Sequence, residues 1–287
     1  MGINPLSVYI DANDTVYVPT NTLNRIVVWS QGNTSSSKYI TANIWDPYSL
    51  FVTTSGDIYV YNSYNYRRID RYLSNGTNTT AAMFIPSICY DIFIDINNSL
   101  YCSLSNLHQV VAKFLDDITD TKRVVAGTGC YGSNSSTLYY PYGIFIDSSF
   151  NLYVADYSNA RVQLFRSGQL NGTTVAGATA SNSFTLNGPI DVILDADEYL
   201  FIVDKSYGYS RIVGSGPNGF RCIIACSNIM GSSSDELYDP WSMAFDSQGN
   251  IYVADSGNNR IQKFALTNNT CGTYHYISHS NFRYYFN

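Results

Sequence analysis

Short apolar segments set the rhythm of this chain. GIFID (143–147), LYVAD (152–156) and RVQLF (161–165) follow one another with only a few polar residues between them. The first is apolar on both sides, as a strand buried between packed sheets must be. The second is rich in β-branched and aromatic residues, which suit a pleated surface. The third alternates, and a period of two turns one face inward. Between the first two, DSSFN (147–151) has hairpin chemistry. Asp caps its own turn there, and Asn tolerates positive φ.

The same order returns along the whole chain. PYGIFIDSSFNLYVADYSNARVQLF from Pro141 comes back as PWSMAFDSQGNIYVADSGNNRIQKF from Pro240, and weaker copies open at Pro5, Pro47, Cys89 and Pro189. One register position holds Asp11, Thr53, Asp95, Asp147, Asp195 and Asp246. A second holds Thr20, Asn62, Leu104, Asp156, Asp204 and Asp255. A third holds Arg25, Arg67, Gln109, Arg161 and Arg260, with Arg211 displaced by two extra residues. A fourth strand follows in each copy, as in KRVVAG, TTVAG and CIIAC. Four strands in every ~40–50 residues is the blade of a propeller. The expectation is an all-β chain, residues 1–287 forming one six-bladed β-propeller domain of four-stranded antiparallel blades. CGTYHYISH, from Cys271, is expected to supply the outer strand of the last blade.

These copies resemble the NHL repeat, whose signature is an opening Pro, an apolar run to Asp, then "iyvaD" and "n-Ri-kf". The copies from Pro141 and Pro240 match it closely; the others are degenerate. The resemblance implies a ring of six blades around a channel. Its relatives divide between binding modules and enzymes. The peptide-amidating-lyase-like propellers hold zinc on His, and lactonase-like ones hold calcium on Glu, Asn and Asp. Here there are only His108, His275 and His279, and Glu198 and Glu236 lie in turn or loop stretches. No residue of the lyase motif can be carried over, and no catalytic residue is assigned. The tripartite-motif ligases bind protein or RNA through such a domain, and extracellular sensor and receptor relatives also exist.

Composition narrows the partners. The chain has 16 Lys and Arg against 22 Asp and Glu, a net charge of −6 and no basic run. Nucleic-acid binding needs cations to neutralise phosphates, so it is set aside. No segment approaches the ~18 apolar residues of a membrane span. MGINPLSVYI lacks the basic start and apolar run of a signal peptide. Either the chain is a fragment of a longer protein or its export signal is absent from this sequence, and a monomeric domain of a larger protein is expected. Charged residues make up 13%, while 26 residues are Tyr. N-x-S/T sequons begin at Asn13, Asn33, Asn75, Asn78, Asn97, Asn134, Asn171 and Asn268. All fall in turns or between strands, and the expected setting is extracellular or lumenal, with glycosylation. Cys89, Cys102, Cys130, Cys222, Cys226 and Cys271 do not disclose a disulfide pairing. Cys89 and Cys102 read as buried free thiols in strands, and a straight strand would hold Cys222 and Cys226 too far apart to bond.

The recurrent Asp and Arg read as architecture, since no single site touches all blades alike. Function is expected where the blades differ, on the face shared by the connectors and the loops after the second strands. Trp45, Tyr48, Tyr90, Tyr139, Tyr140, Tyr142, Tyr238 and Trp241 fall there. Tyr and Trp join large contact area to a polar handle, or else wedge the blades apart. Trp45, Tyr48, Tyr90, Tyr142 and Trp241 are the candidate ligand-binding set, for a protein, peptide or glycan. Asp91 and Asp191 hold one register position near the channel mouth, where carboxylates suit Ca²⁺. No cofactor is predicted; calcium is the ion weighed for this pair, against a reading of both as hydrogen-bonded turn residues. Because they belong to the third and fifth copies, they are not expected to be neighbours. The alternative function is a Ca- or Zn-dependent hydrolase or lyase centred on the channel.

Overall fold

The computed structural model describes residues 4–33, 35, 38–41, 44–63, 67–74, 79–178, 180, 184–227, 229–268 and 274–284. They form six four-stranded antiparallel sheets, each built from strands consecutive in the chain. In blade 4 these are Pro141–Ile146, Leu152–Asp156, Arg161–Phe165 and Thr173–Gly177, running from the channel outward. In blade 6 they are Pro240–Phe245, Ile251–Asp255, Arg260–Asn268 and Tyr274–Tyr284. The last of these contains most of the segment expected to supply the outer strand.

The core lies between blades. Strand alternation sends Val110 and Ala112 into the seam with blade 4 and Val111 into the seam with blade 2. The same division gives six apolar clusters for six seams. Val18, Ile26 and Val27 are fully shielded from solvent. Each such side chain contributes about 1.5–3 kcal/mol.

Every blade is made of its own consecutive strands, so side chains close the ring. Val8, Val18 and Trp29 of blade 1 pack with Tyr252, Ala254 and Ile261 of blade 6. Above this apolar seam, Ser247 donates its N–H and its hydroxyl to the Asp14 carboxylate, both at 2.7 Å.

The repeated polar residues are architectural, as read. Asp147 accepts the N–H of Ser149 at 2.9 Å and of Asn151 at 2.8 Å, which fixes the first hairpin. Asp255 pairs with Arg260 at 2.6 Å and accepts the Tyr238 N–H at 2.7 Å. Arg260 then reaches the carbonyls of Ser232, Ser233 and Glu236 at 2.8–3.0 Å. The pair therefore fastens the incoming connector as well as its own loop. The extra residues of blade 5 lengthen a hairpin, Leu200–Ser206 against Tyr209–Gly214, where blades 3, 4 and 6 have a short 3-10 turn.

The cysteine readings are corrected. Cys89 and Cys102 are buried but bonded, with Cα atoms 5.6 Å apart. Cys102 lies on the strand paired with the innermost one, opposite Ile92, and the chain entering blade 3 brings Cys89 beside it. Cys222 and Cys226 are also bonded, at 5.7 Å between Cα atoms. The strand ends at Ile224, and Ala225, with φ 56°, folds the chain back. The assumption of a straight strand failed at that residue. Cys130 is a free, exposed thiol, and Cys271 lies outside the described residues.

Of the sequons, Asn13, Asn33, Asn97, Asn134 and Asn171 are exposed. Asn75 and Asn78 lie outside the described residues, and Asn268 ends the strand Arg260–Asn268, with no side chain described. No helix among the described residues is long and apolar enough to cross a membrane.

Candidate functional site

All six innermost strands run the same way, from the connector face toward the first hairpins. Equivalent positions therefore form rings around the channel. The first residue after each opening position gives Leu6, Tyr48, Tyr90, Tyr142, Ile190 and Trp241 at the connector-side mouth. Tyr48 meets Tyr90 edge-on at 5.2 Å between centroids, Tyr90 meets Tyr142 at 4.7 Å, and Tyr142 meets Trp241 at 5.9 Å. Four of the five residues proposed for ligand contact are thus one continuous arc. Trp45 is 45% exposed and stands outside the mouth lining, with its N–H donated to Asn62 Oδ1. Burial raises the hydroxyls of Tyr48 and Tyr90 and pushes that of Tyr142 to about 12. The arc therefore stays neutral and hydrogen-bonding across the physiological range.

The arc opens sideways into a cleft of ≈ 740 Å³ over blades 5 and 6. Lys205, on the long hairpin, lies against its wall. Its ammonium sits 3.5 Å from the centroid of the Trp241 ring and 2.8 Å from Asp239 Oδ1. Trp241 Nε1 donates to Asp239 Oδ2 at 3.1 Å. Burial brings the Lys205 amine down to about 8, against the opposing pull of Asp239. Tyr207, fully exposed at the hairpin tip, and Tyr238, 44% exposed, rim the cleft. Sequence reading missed Lys205, Tyr207 and Asp239. The signal was the insertion before Arg211, which marks the blade that departs from the repeat. On the neighbouring arc of the face, His108, Tyr131, Tyr139 and Tyr140 form a second aromatic group, with rings 5.0–5.8 Å apart.

One step deeper, the ring Ser7, Ser49, Asp91, Gly143, Asp191 and Ser242 narrows the channel, leaving ≈ 20 Å³ at the mouth, room for about one water. Asp91 accepts Ser49 Oγ and the N–H groups of Ile92 and Ile144 at 2.8–2.9 Å. Asp191 accepts the N–H of Val192 and of Met243, both at 2.8 Å. Each carboxylate thereby ties its own blade to a neighbouring one. Separated in the blade order, they still feel each other through the narrow bore: burial first, then the charge of Asp191, raises Asp91, and burial raises Asp191. Ca²⁺ takes 6–8 oxygens, whereas this pair offers four, each already accepting a hydrogen bond. Among the described residues no three His, Cys, Asp or Glu side chains converge on one point. His108 Nδ1 accepts the Tyr140 N–H on the connector face, while His275 and His279 lie in the outer strand Tyr274–Tyr284.

No curated protein matches the chain in sequence. The family model for the NHL repeat matches residues 237–264, which span the connector, innermost, second and third strands of blade 6. Among solved structures, the selenomethionine-substituted virginiamycin B lyase from Staphylococcus aureus is similar over 97% of this chain and 85% of its own, at TM-score 0.62 and 14% identity. A chain of the nidogen/laminin complex is similar over 94% and 92%, at TM-score 0.66 and 16% identity. A protein of unknown function from Bacteroides thetaiotaomicron is similar over 92% and 70%, at TM-score 0.72 and 15% identity. At such identities the likeness is one of fold, which several functions share. The chain is a six-bladed β-propeller of four-stranded blades, and residues 237–264 of its last blade match the NHL repeat.

Proposed function

We propose that the connector face is a non-catalytic binding surface for a protein, peptide or glycan. The observation that carries this reading is the aromatic arc at the mouth and its continuation into the cleft beside Lys205 and Asp239. Aromatic rings supply contact area at low entropic cost, and the cation–acid pair supplies direction. A chain of similar fold was solved within a nidogen/laminin complex, which agrees with a binding role. The proposed setting is extracellular or lumenal, in keeping with two disulfides and five exposed sequons. Peptide mapping of protein secreted from eukaryotic cells would show glycans on those asparagines, or exclude them.

The test uses a glycan array and a displayed peptide library, both probed with the whole chain. Ligands selected by the wild type should bind at least about tenfold more weakly to Tyr207→Ser and to Trp241→Phe, a loss of about 1.4 kcal/mol. Tyr207 is fully exposed, so its removal should leave the melting temperature unchanged. Ligands that bind both variants at full strength would sink the reading.

The second reading is a metal-dependent hydrolase or lyase, and it draws support from the virginiamycin B lyase of like fold. Elemental analysis of protein purified without chelators separates the two. One equivalent of calcium or zinc favours the enzyme, and its absence from active-folded protein leaves the binding surface.

A further inference from the structure

The far half of the channel is a separate cavity. It opens toward the first hairpins, on the opposite side of the Asp91–Asp191 ring from the aromatic mouth. Its volume is ≈ 250 Å³, well above the ~15 Å³ that a single water needs. Its wall is aromatic over four blades. Tyr9 meets Phe51 at 5.1 Å between centroids, Phe51 meets Phe93 at 5.3 Å, and Phe93 meets Phe145 at 5.2 Å. Ile193 and Leu194 line it on blade 5, and Met243, Ala244 and Phe245 on blade 6. All four rings remain partly exposed, because one side of each faces the open bore. The floor is the carboxylate pair, which lines this cavity as well as the mouth.

That floor carries negative charge without a protein cation. Asp191, the Ser49 hydroxyl and amide N–H groups act on Asp91, and the Ser242 hydroxyl and amide N–H groups act on Asp191; among the described residues no Lys, Arg or His is one of these groups. The other titratable groups on or just before the innermost strands are Tyr9, Tyr48, Tyr90 and Tyr142, and burial holds all four above their ordinary value. The rim is acidic too. Asp11, Asp95, Asp147, Asp195 and Asp246 open five of the first hairpins, and of these Asp246 is paired with Lys263. A field of one sign at the mouth of a low-dielectric pit concentrates the opposite charge. Aromatic faces attract organic ammonium ions by their quadrupole, and more strongly where water is excluded.

We propose that this cavity is a binding site for a small organic ammonium ion, with its apolar body against the Tyr9–Phe51–Phe93–Phe145 wall and its charged head on the Asp91–Asp191 floor. The chemistry that fits is an aryl- or alkyl-amine small enough for a cavity of ≈ 250 Å³. This site lies at the other end of the channel from the proposed ligand surface. Tyr207→Ser, which tests that surface, leaves it intact, so the two proposals fail separately.

Calorimetric titration of the whole chain with phenethylamine is the test, with phenethyl alcohol as neutral isostere and hydrocinnamate as anion. The amine should bind saturably at one site. The alcohol should bind at least about tenfold more weakly, and hydrocinnamate not at all. Phe93→Leu should weaken the amine and the alcohol alike, and Asp191→Asn, which leaves Asp91 on the floor, should reduce the preference for amine over alcohol. If Asp191→Asn fails to fold, proton linkage in the wild type replaces it. Both carboxyls are raised by burial, so below neutrality the pair holds a proton that an incoming cation expels. Binding should therefore release protons and tighten as the pH rises toward neutrality. Equal affinity for amine and alcohol, no saturable binding, no proton release, or calcium that binds one-to-one and excludes the amine would each overturn the proposal.

Discussion

At position 143 a single methyl group is too much. A Cβ there would lie 2.6 Å from the Asp191 Cα, 2.6 Å from its Oδ1 and 2.8 Å from the Ile190 carbonyl oxygen. Backbone atoms make up most of that obstruction, so no rotamer change relieves it. Gly143→Ala should cost about 1–3 kcal/mol by forcing blades 4 and 5 apart, measured by chemical denaturation at constant m. A neutral substitution would mean that the two innermost strands slide freely past each other. In the sequence, Gly143 stood in one register position with Asp91, Asp191 and three serines. That position was visible as a place where the copies differ. Its reason was not, because the carboxylate that fills the space belongs to the next copy. The Asp–Arg spacing was legible as architecture in the same way. What spacing does not show is that Arg260 reaches back about a connector's length to the Ser232 carbonyl.

Strands and hairpins were the most legible elements, since apolar period and turn residues are local properties. Closure of the ring was the least legible. Asp14 sits in an ordinary first hairpin, yet the Ser247 it binds is 233 residues away. It also accepts Gln31 Nε2 at 2.9 Å, so its carboxylate joins two strands of blade 1 to blade 6. Since every sheet here is made of consecutive strands, this carboxylate holds the seam together with the apolar cluster beneath it and the hydrogen bonds of Ser256 to the Pro5 carbonyl and of the Val8 N–H to Ser242. Ser247 is exposed, so Asp14→Ala leaves no buried donor and costs only the net worth of the carboxylate's hydrogen bonds to Ser247 and Gln31, about 1.5–3 kcal/mol. Hydrogen exchange should then quicken first in blades 1 and 6, ahead of global unfolding. Uniform quickening around the ring would show instead that no seam is weaker than the rest. The candidate site divided along the same line. Tyr48, Tyr90, Tyr142 and Trp241 repeat in register and were found, while Lys205 and Tyr207 sit on a hairpin that exists only because blade 5 breaks register.

Taken whole, the molecule is a ring with two unlike openings divided by a pair of carboxylates, and the divider links pH to stability. Asp91 and Asp191 are raised above the ordinary carboxylate range, chiefly by burial. A raised carboxyl holds its proton more tightly in the folded state than in the unfolded one. Its contribution to stability is complete below about pH 4, the unfolded value, and is lost as the pH climbs through the raised folded values toward neutrality. Asp57 and Asp246 are lowered, through Arg71 and through Asn250 and Lys263, and they pull the opposite way as the pH falls. The stability difference between wild type and Asp191→Asn cancels those contributions. That difference should grow in favour of the wild type on acidification from neutral to about pH 4. The gain is about 1.4 kcal/mol for every tenfold by which folding tightens the carboxyl's hold on its proton. A flat difference would show that the divider is wet and its carboxyls ordinary. Saturating phenethylamine should flatten the slope in the wild type alone, because an ammonium on the floor keeps the pair ionised when folded and removes the proton that acid would otherwise add.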